Sequence, residues 1–311
     1  MKGGATTQTT EPFRLAGDPR RNRRERVIRR VFLTGAALSL LISAAIVVAL
    51  AGRAWAFLAS VDPASLWSLG WFPRRGLYDM VTIVSATLLI AGVAMTVATP
   101  LGLGSAVYLS EYARPRARRV LKPILEILAG IPSVVVGFFA LTWISPEIIQ
   151  RFLGGGIFSM AAAGLGVGVL VTPLVASVSE DALRAVPQAL RYAGFGLGAR
   201  RGAIVRRVVV PAALPGIVAS LILGISRAIG ETMVVFMAAG AVGGALRSFD
   251  LLGPGQSMTA AMAALAVGTD QVAGSGLAFE SLFFVGLLLF VMTLGLNLAS
   301  NRMVRRMRNR Y

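Results

Sequence analysis

The sequence contains no cysteine and no histidine. The first absence excludes disulfides, thiol nucleophiles and thiolate metal ligands. The second excludes imidazole metal sites and every Ser-His or Cys-His catalytic arrangement. Lysine is almost missing too, with only Lys2 and Lys122. Neither follows a glycine-rich loop with Ser or Thr behind it, so a Walker A phosphate cradle is absent. The chain therefore reads as a non-enzyme, with no catalytic residues, metal site or cofactor. Charge is scarce as well. Of 311 residues 14% are charged and 56% hydrophobic, with mean hydropathy +0.73, whereas soluble domains carry about 25% charge. The length would hold two soluble domains, but the hydropathy makes it one polytopic membrane domain.

A hydrocarbon core about 30 Å thick needs roughly 20 helical residues. Six charge-poor stretches meet that length, at 31–52, 80–110, 127–146, 152–179, 208–246 and 281–301. All but the fifth lack Asp, Glu, Lys and Arg; the fifth carries Arg227 and Glu231. A seventh stretch, 251–269, opens with Leu-Leu-Gly-Pro-Gly-Gln, and only 258–269 is a continuous small-apolar run. That run is too short to span and fits an interfacial or re-entrant helix. The expected fold is thus all-α with six transmembrane helices.

The net charge of +17 would suggest nucleic acid in a soluble chain. Here the location of the basic residues matters more. With both termini inside, the inner segments hold 25 of the 31 Lys and Arg, and the outer ones only Arg53, Arg74, Arg75, Arg151 and Arg247. That asymmetry is a positive-inside signal, and a nucleic-acid partner is not expected. The first 30 residues read as a disordered basic cytoplasmic tail. The 22-residue apolar run behind them exceeds a signal-peptide core, so it is expected to stay as the first span. The organisation is then tail 1–30, first helix and external loop 31–79, transmembrane domain 80–301 with a cytoplasmic loop at 180–207, and basic tail 302–311.

That loop has room for two short helices. Glu180 and Asp181 suit a helix N-terminus, Pro187 the first turn of a second helix, and Gly196 and Gly198 its end. Pro211 and Pro215 mark entry into the fifth span. A loop of this length with its own helices usually serves a purpose, although a plain connector fits the composition equally.

Gly198 followed by Ile204, Pro211 and Pro215-Gly216-Ile217 resembles the EAA loop of ABC-importer permeases of type I. In that family the loop forms a coupling helix seated in a groove of the cytoplasmic ATPase. Further blocks are similar to the phosphate-specific permeases: 100–111, 128–137 and Pro187-Gln-Ala-Leu190. The stretch Ser226-Arg-Ala-Ile-Gly-Glu-Thr-Met233 resembles the PstC-type subunit rather than its PstA-type partner. Glu280-Ser-Leu-Phe and the 297–306 tail agree, so the resemblance runs from about Tyr78 to the C-terminus. It implies a multi-pass bacterial plasma-membrane subunit surrounded by lipid and paired with a second, PstA-like permease. It also implies two PstB-like ATPases below and a PstS-like extracytoplasmic phosphate-binding protein above. Tyr192, Ala193, Gly198, Ala199, Arg200 and Arg201 would couple to the ATPase, with Tyr192-Ala193 standing where the family commonly has Glu-Ala.

Arg227 and Glu231 are the ionisable side chains deep within an expected span. A central Arg costs about 2.5–3.5 kcal/mol on insertion scales, so it should face the bundle interior or a wet cavity and have a partner. Four residues apart on one helix, the two would share a face and pair directly. One reading is a self-neutralising pair that pins the packing. The other, which the resemblance favours, places Arg227 on the phosphate path as a planar bidentate donor, with Glu231 neutralising it between ions and the hydroxyls of Ser226 and Thr232 nearby. Competing functions are an ABC permease for another oxyanion or small solute and an ATPase-independent secondary transporter. The glycines, including 164, 166 and 168, read as sites of close helix approach, and Pro132 and Pro173 as kinks.

Overall fold

The computed structural model describes residues 19–240, 244–267 and 276–308. Contacts divide the chain into two units, 1–49 and 50–311. In the first, the described residues are helical and belong to α1 (Pro19–Ser60), and the described side chains from Arg24 onward are almost all exposed. Helix thus begins inside the segment expected to be disordered; residues 1–18 lie outside the described residues.

The second unit contains, after α1, three short strands and eleven α-helices among the described residues, with short 3-10 and π-helical stretches between them. Strands β1 (Gly70–Phe72) and β2 (Leu77–Tyr78) precede α2 (Met80–Val107), which ends in a π-helical turn, Tyr108–Tyr112. Next come α3 (Pro115–Ala129), α4 (Ser133–Phe139), a π-helical stretch Ala140–Gln150 and α5 (Arg151–Leu153). Then follow α6 (Met160–Arg184), α7 (Gln188–Gly196) and α8 (Arg201–Ile204), the last running through a π turn into α9 (Val210–Ile229). The chain closes with α10 (Met233–Ala238), β3 (Ala245–Leu246), α11 (Met258–Val267) and α12 (Leu277–Arg308). Among the described residues six helical stretches are long and apolar enough to cross a membrane: Arg24–Ser60, Met80–Tyr112, Ser133–Leu153, Met160–Arg184, Arg201–Ile229 and Leu277–Val304.

Several expected boundaries move. The third span starts at Ser133, because the chain breaks after Gly130 and Pro132 caps α4 instead of kinking a helix. Glu180 and Asp181 lie in the last turns of α6, not at a helix N-terminus. The fifth span begins at Arg201, ahead of Pro211, and ends at Ile229. α11, ten residues and about 15 Å long, is too short to span; Met258, Ala260 and Ala261 are buried.

α6 is the most buried span and packs on α2 and α9. Three glycines on its first half let it approach α2 and α10 closely. A Cβ on Gly164 would lie 2.6 Å from Val93 Cβ, one on Gly166 2.9 Å from Val234, and one on Gly168 2.9 Å from the Ala94 carbonyl. Gly102 and Gly224 seat against Val175 in the same way. Within lipid such close packing, and not the removal of apolar surface from water, holds helices together. Buried Ser179 and Ser220 hydroxyls meet at 2.6 Å and join α6 to α9.

At one end of the unit the strands form a small antiparallel sheet in the order β2-β1-β3, an element the all-α expectation lacked. It covers an apolar cluster around Phe57, Trp71, Tyr78 and Met258. Beside it Asp79 caps α2 and receives both Nε (3.0 Å) and Nη2 (2.7 Å) of Arg247. At the opposite end Glu180, 1% exposed, accepts from Arg118 Nη2 at 2.6 Å and Lys122 Nζ at 2.9 Å, which fixes α3 to α6.

Candidate functional site

The four expected pathway residues flank a break in the chain. Ser226 and Arg227 lie in the last turn of α9, Gly230 caps it, and Thr232 stands at the start of α10. Arg227 and Glu231 are therefore not on one helical face, and among the described residues no ion pair joins them. The reason is local: the Gly230 amide bonds back to the Ser226 and Ala228 carbonyls and closes α9. Arg227 is exposed on the second unit, whereas Glu231 is buried. The Glu231 carboxylate accepts the Val234 amide at 3.4 Å, and its carbonyl accepts the Thr259 hydroxyl at 2.7 Å. Ser226 donates to Asn297 of α12 at 3.4 Å, and Thr232 to the Gly230 carbonyl. The α3–α4 break lies in a partner element of this one. α4 packs on α10 at Gly137, whose Cβ would be 3.1 Å from the Met233 carbonyl and Val234 Cα. Broken helices place polar backbone at membrane depth where a path or cavity receives it.

The expected coupling residues lie in and beside the turn of the α7–α8 hairpin. α7 ends at Gly196, and Gly198 adopts φ +74°, a left-handed conformation that a Cβ disfavours. The Ala199 amide bonds the Gly194 carbonyl at 3.1 Å and the Gly198 amide bonds Phe195 at 2.9 Å, the pattern of a Schellman cap. The expected helix ending at Gly196 and Gly198 is present, with Pro187 as its cap. Outward stand Tyr192 (69% exposed), Phe195 and Leu197 (88% exposed). Ala193, Arg200 and Arg201 are exposed as well, and Ala199 is half-buried. From 182 to 230 the sequence has no acidic residue, so this face is basic and apolar.

The family described as "Binding-protein-dependent transport system inner membrane component" matches residues 98–310. The chain belongs to that family. The phosphate transport system permease protein PstC of Haemophilus influenzae is 31% identical over 291 residues, covering 88% of this chain and 90% of that protein. PstA 1 of Mycobacterium tuberculosis is 37% identical over only 172 residues, 55% of this chain and 54% of that one. A crystal structure of a bacterial alginate ABC transporter, in complex with an alginate-bound periplasmic protein, has a chain that superposes with TM-score 0.64. It covers 92% of this chain and 96% of that chain at 15% identity, a likeness of fold.

For this membrane component, sequence reasoning missed the side chains that hold the turn in place. Arg191 is 8% exposed and donates through Nη2 to Glu111 and to the Leu183 carbonyl, both at 2.9 Å. Arg201 lies over the Tyr112 ring at 5.3 Å. A signal was available, since Glu111 ends an apolar run with no acid near it in sequence. Its partner lies 80 residues on, beyond any local pattern. The same holds for Glu180 and its cations. Hydrogen bonding to Glu180 raises the Lys122 ammonium above its ordinary value, outweighing partial burial.

Proposed function

We propose that this chain is a permease subunit of an ATP-driven phosphate importer in a bacterial plasma membrane, with both termini cytoplasmic. The observation that carries the reading is the match to a PstC permease over nearly the full length of both chains. In this reading a second, PstA-like permease completes the path. Two PstB-like ATPases dock below, one on Tyr192–Arg201, and a PstS-like binding protein delivers phosphate from outside. ATP hydrolysis belongs to the separate ATPase subunits.

Arg227 is the phosphate contact. Its exposure on the isolated chain suits a side chain that lines a path shared with a partner, and its planar fork suits a tetrahedral oxyanion. Because Glu231 is engaged in capping α10, we assign it to holding the break open and not to neutralising Arg227. Ser226 and Thr232 border the same break. The resulting site is weak, as translocation requires: favourable enough to enter, loose enough to leave. Closing ATPases would move α7, and the permeases would alternate access.

The test is phosphate uptake in cells carrying Arg227→Gln, with complex assembly measured in parallel and sulfate and molybdate offered as competitors. Collapse of uptake in an assembled complex supports the reading. Persistent uptake removes Arg227 from the path, and strong competition by sulfate would reassign the substrate.

A further inference from the structure

Arg191 occupies an unusual place on α7. Its neighbours Leu190, Tyr192 and Ala193 are exposed, while its own side chain turns inward and is buried. One guanidinium there bonds three parts of the chain: the Leu183 carbonyl near the end of α6, the Val186 carbonyl in the linker, and Glu111 in the π turn that ends α2. Glu111 is itself buried, its carboxylate carried inward by that turn. The next residue, Tyr112, holds α8, the far arm of the α7–α8 hairpin, through Arg201. The two arms also touch each other, since a Cβ on Gly194 would lie 2.9 Å from Ile204 Cγ1. Beneath them Ala106, Leu183, Val186, Ile204 and Val209 form one apolar cluster.

We infer that the Arg191–Glu111 pair is the joint through which α7 moves α2, so that Arg191 is a positioning residue for transport and not part of the ATPase contact. The inference rests on the permease reading above and deepens it. α8 is continuous with the fifth span, so a pull on the hairpin reaches that span through the chain itself. It reaches α2 only through contacts, of which this buried pair is the charge-assisted one. Since α2 is interlocked with α6 at Gly102, Gly164 and Gly168, moving α2 moves α6 with it. The outward residues Tyr192, Phe195 and Leu197 then receive the push, and the inward Arg191 passes it on.

The experiment uses the complete complex, with partner permease, ATPases and binding protein, in proteoliposomes, and reads ATP hydrolysed per phosphate imported. Arg191→Ala tests the joint. Arg191→Lys and Glu111→Gln keep side-chain volume and guard against a failure to fold. The lysine variant cannot reproduce the fork to three acceptors, and the glutamine variant loses the charge. The expected result is normal assembly and near-normal ATP hydrolysis, with ATP used per phosphate rising about fivefold or more in Arg191→Ala and by a smaller factor in the other two. Import and hydrolysis falling together in all three, at an unchanged ratio, would make the pair a structural pin and overturn the inference. So would three variants indistinguishable from wild type. A wild-type complex that hydrolyses ATP without importing phosphate would instead overturn the functional reading, and this inference with it.

Discussion

Burial alone would raise the carboxyl of Asp79, but hydrogen bonds from Arg247 and Thr82 and the charge of Arg247 hold it below the ordinary carboxylate value. A depressed native pKa contributes stability above the unfolded value, near 3.9, that is lost as pH falls through the lower native value. Asp79→Asn should therefore lower the midpoint of thermal unfolding in detergent at pH 7. The gap to wild type should persist to about pH 4 and close only below it. Lys122 has the opposite sign: its raised pKa stabilises below about 10.4 and the contribution fades as pH rises beyond it. Arg227 makes a different kind of prediction. Arg227→Lys preserves charge but not the planar fork, so uptake should fall about tenfold or more, the equivalent of one lost bidentate contact of about 1.4 kcal/mol. Normal uptake in that variant would show that a point charge suffices.

Two kinds of glycine lie on the spanning elements, and they predict opposite outcomes. Gly168→Ala would push a methyl into the Ala94 carbonyl and should cost about 1–3 kcal/mol, as overpacking does. Gly92→Ala meets nothing within 4 Å and should leave thermal unfolding unchanged or slightly improved. Spans were legible because uncharged runs of about 20 residues have few other uses, and the small-residue run 164–168 declared its packing role. Breaks were not legible. Gly230-Glu231-Thr232 sits between two apolar segments, so hydropathy reads straight through it. α3 mixes four basic residues with Val120, Ile124 and Ile127, which hid its separation from the third span. Strands of two or three residues are shorter than any detectable alternation. Glu180 looked like a helix start because acids favour N-termini, whereas its real partners, Arg118 and Lys122, are about 60 residues upstream.

At the scale of the whole molecule, the second unit is fastened at both ends and broken between them. Asp79–Arg247 and the sheet close one end, the Glu180 and Arg191 clusters close the other, and the breaks at 130–132 and 230–232 lie in elements that pack together. Such an arrangement should be inert alone: purified chain in liposomes should pass no phosphate above background, and flux should need the ATPases and ATP. Leakage through the single chain would favour a secondary transporter. The Asp79 clamp also has a consequence in time. Its two halves are 168 residues apart in sequence, and ribosomes add about 5–20 residues per second. For roughly 10–30 seconds of each synthesis the carboxylate at the head of α2 waits for Arg247. Over that interval this end of the unit stands without its clamp, and slowing translation before codon 247 should lengthen it.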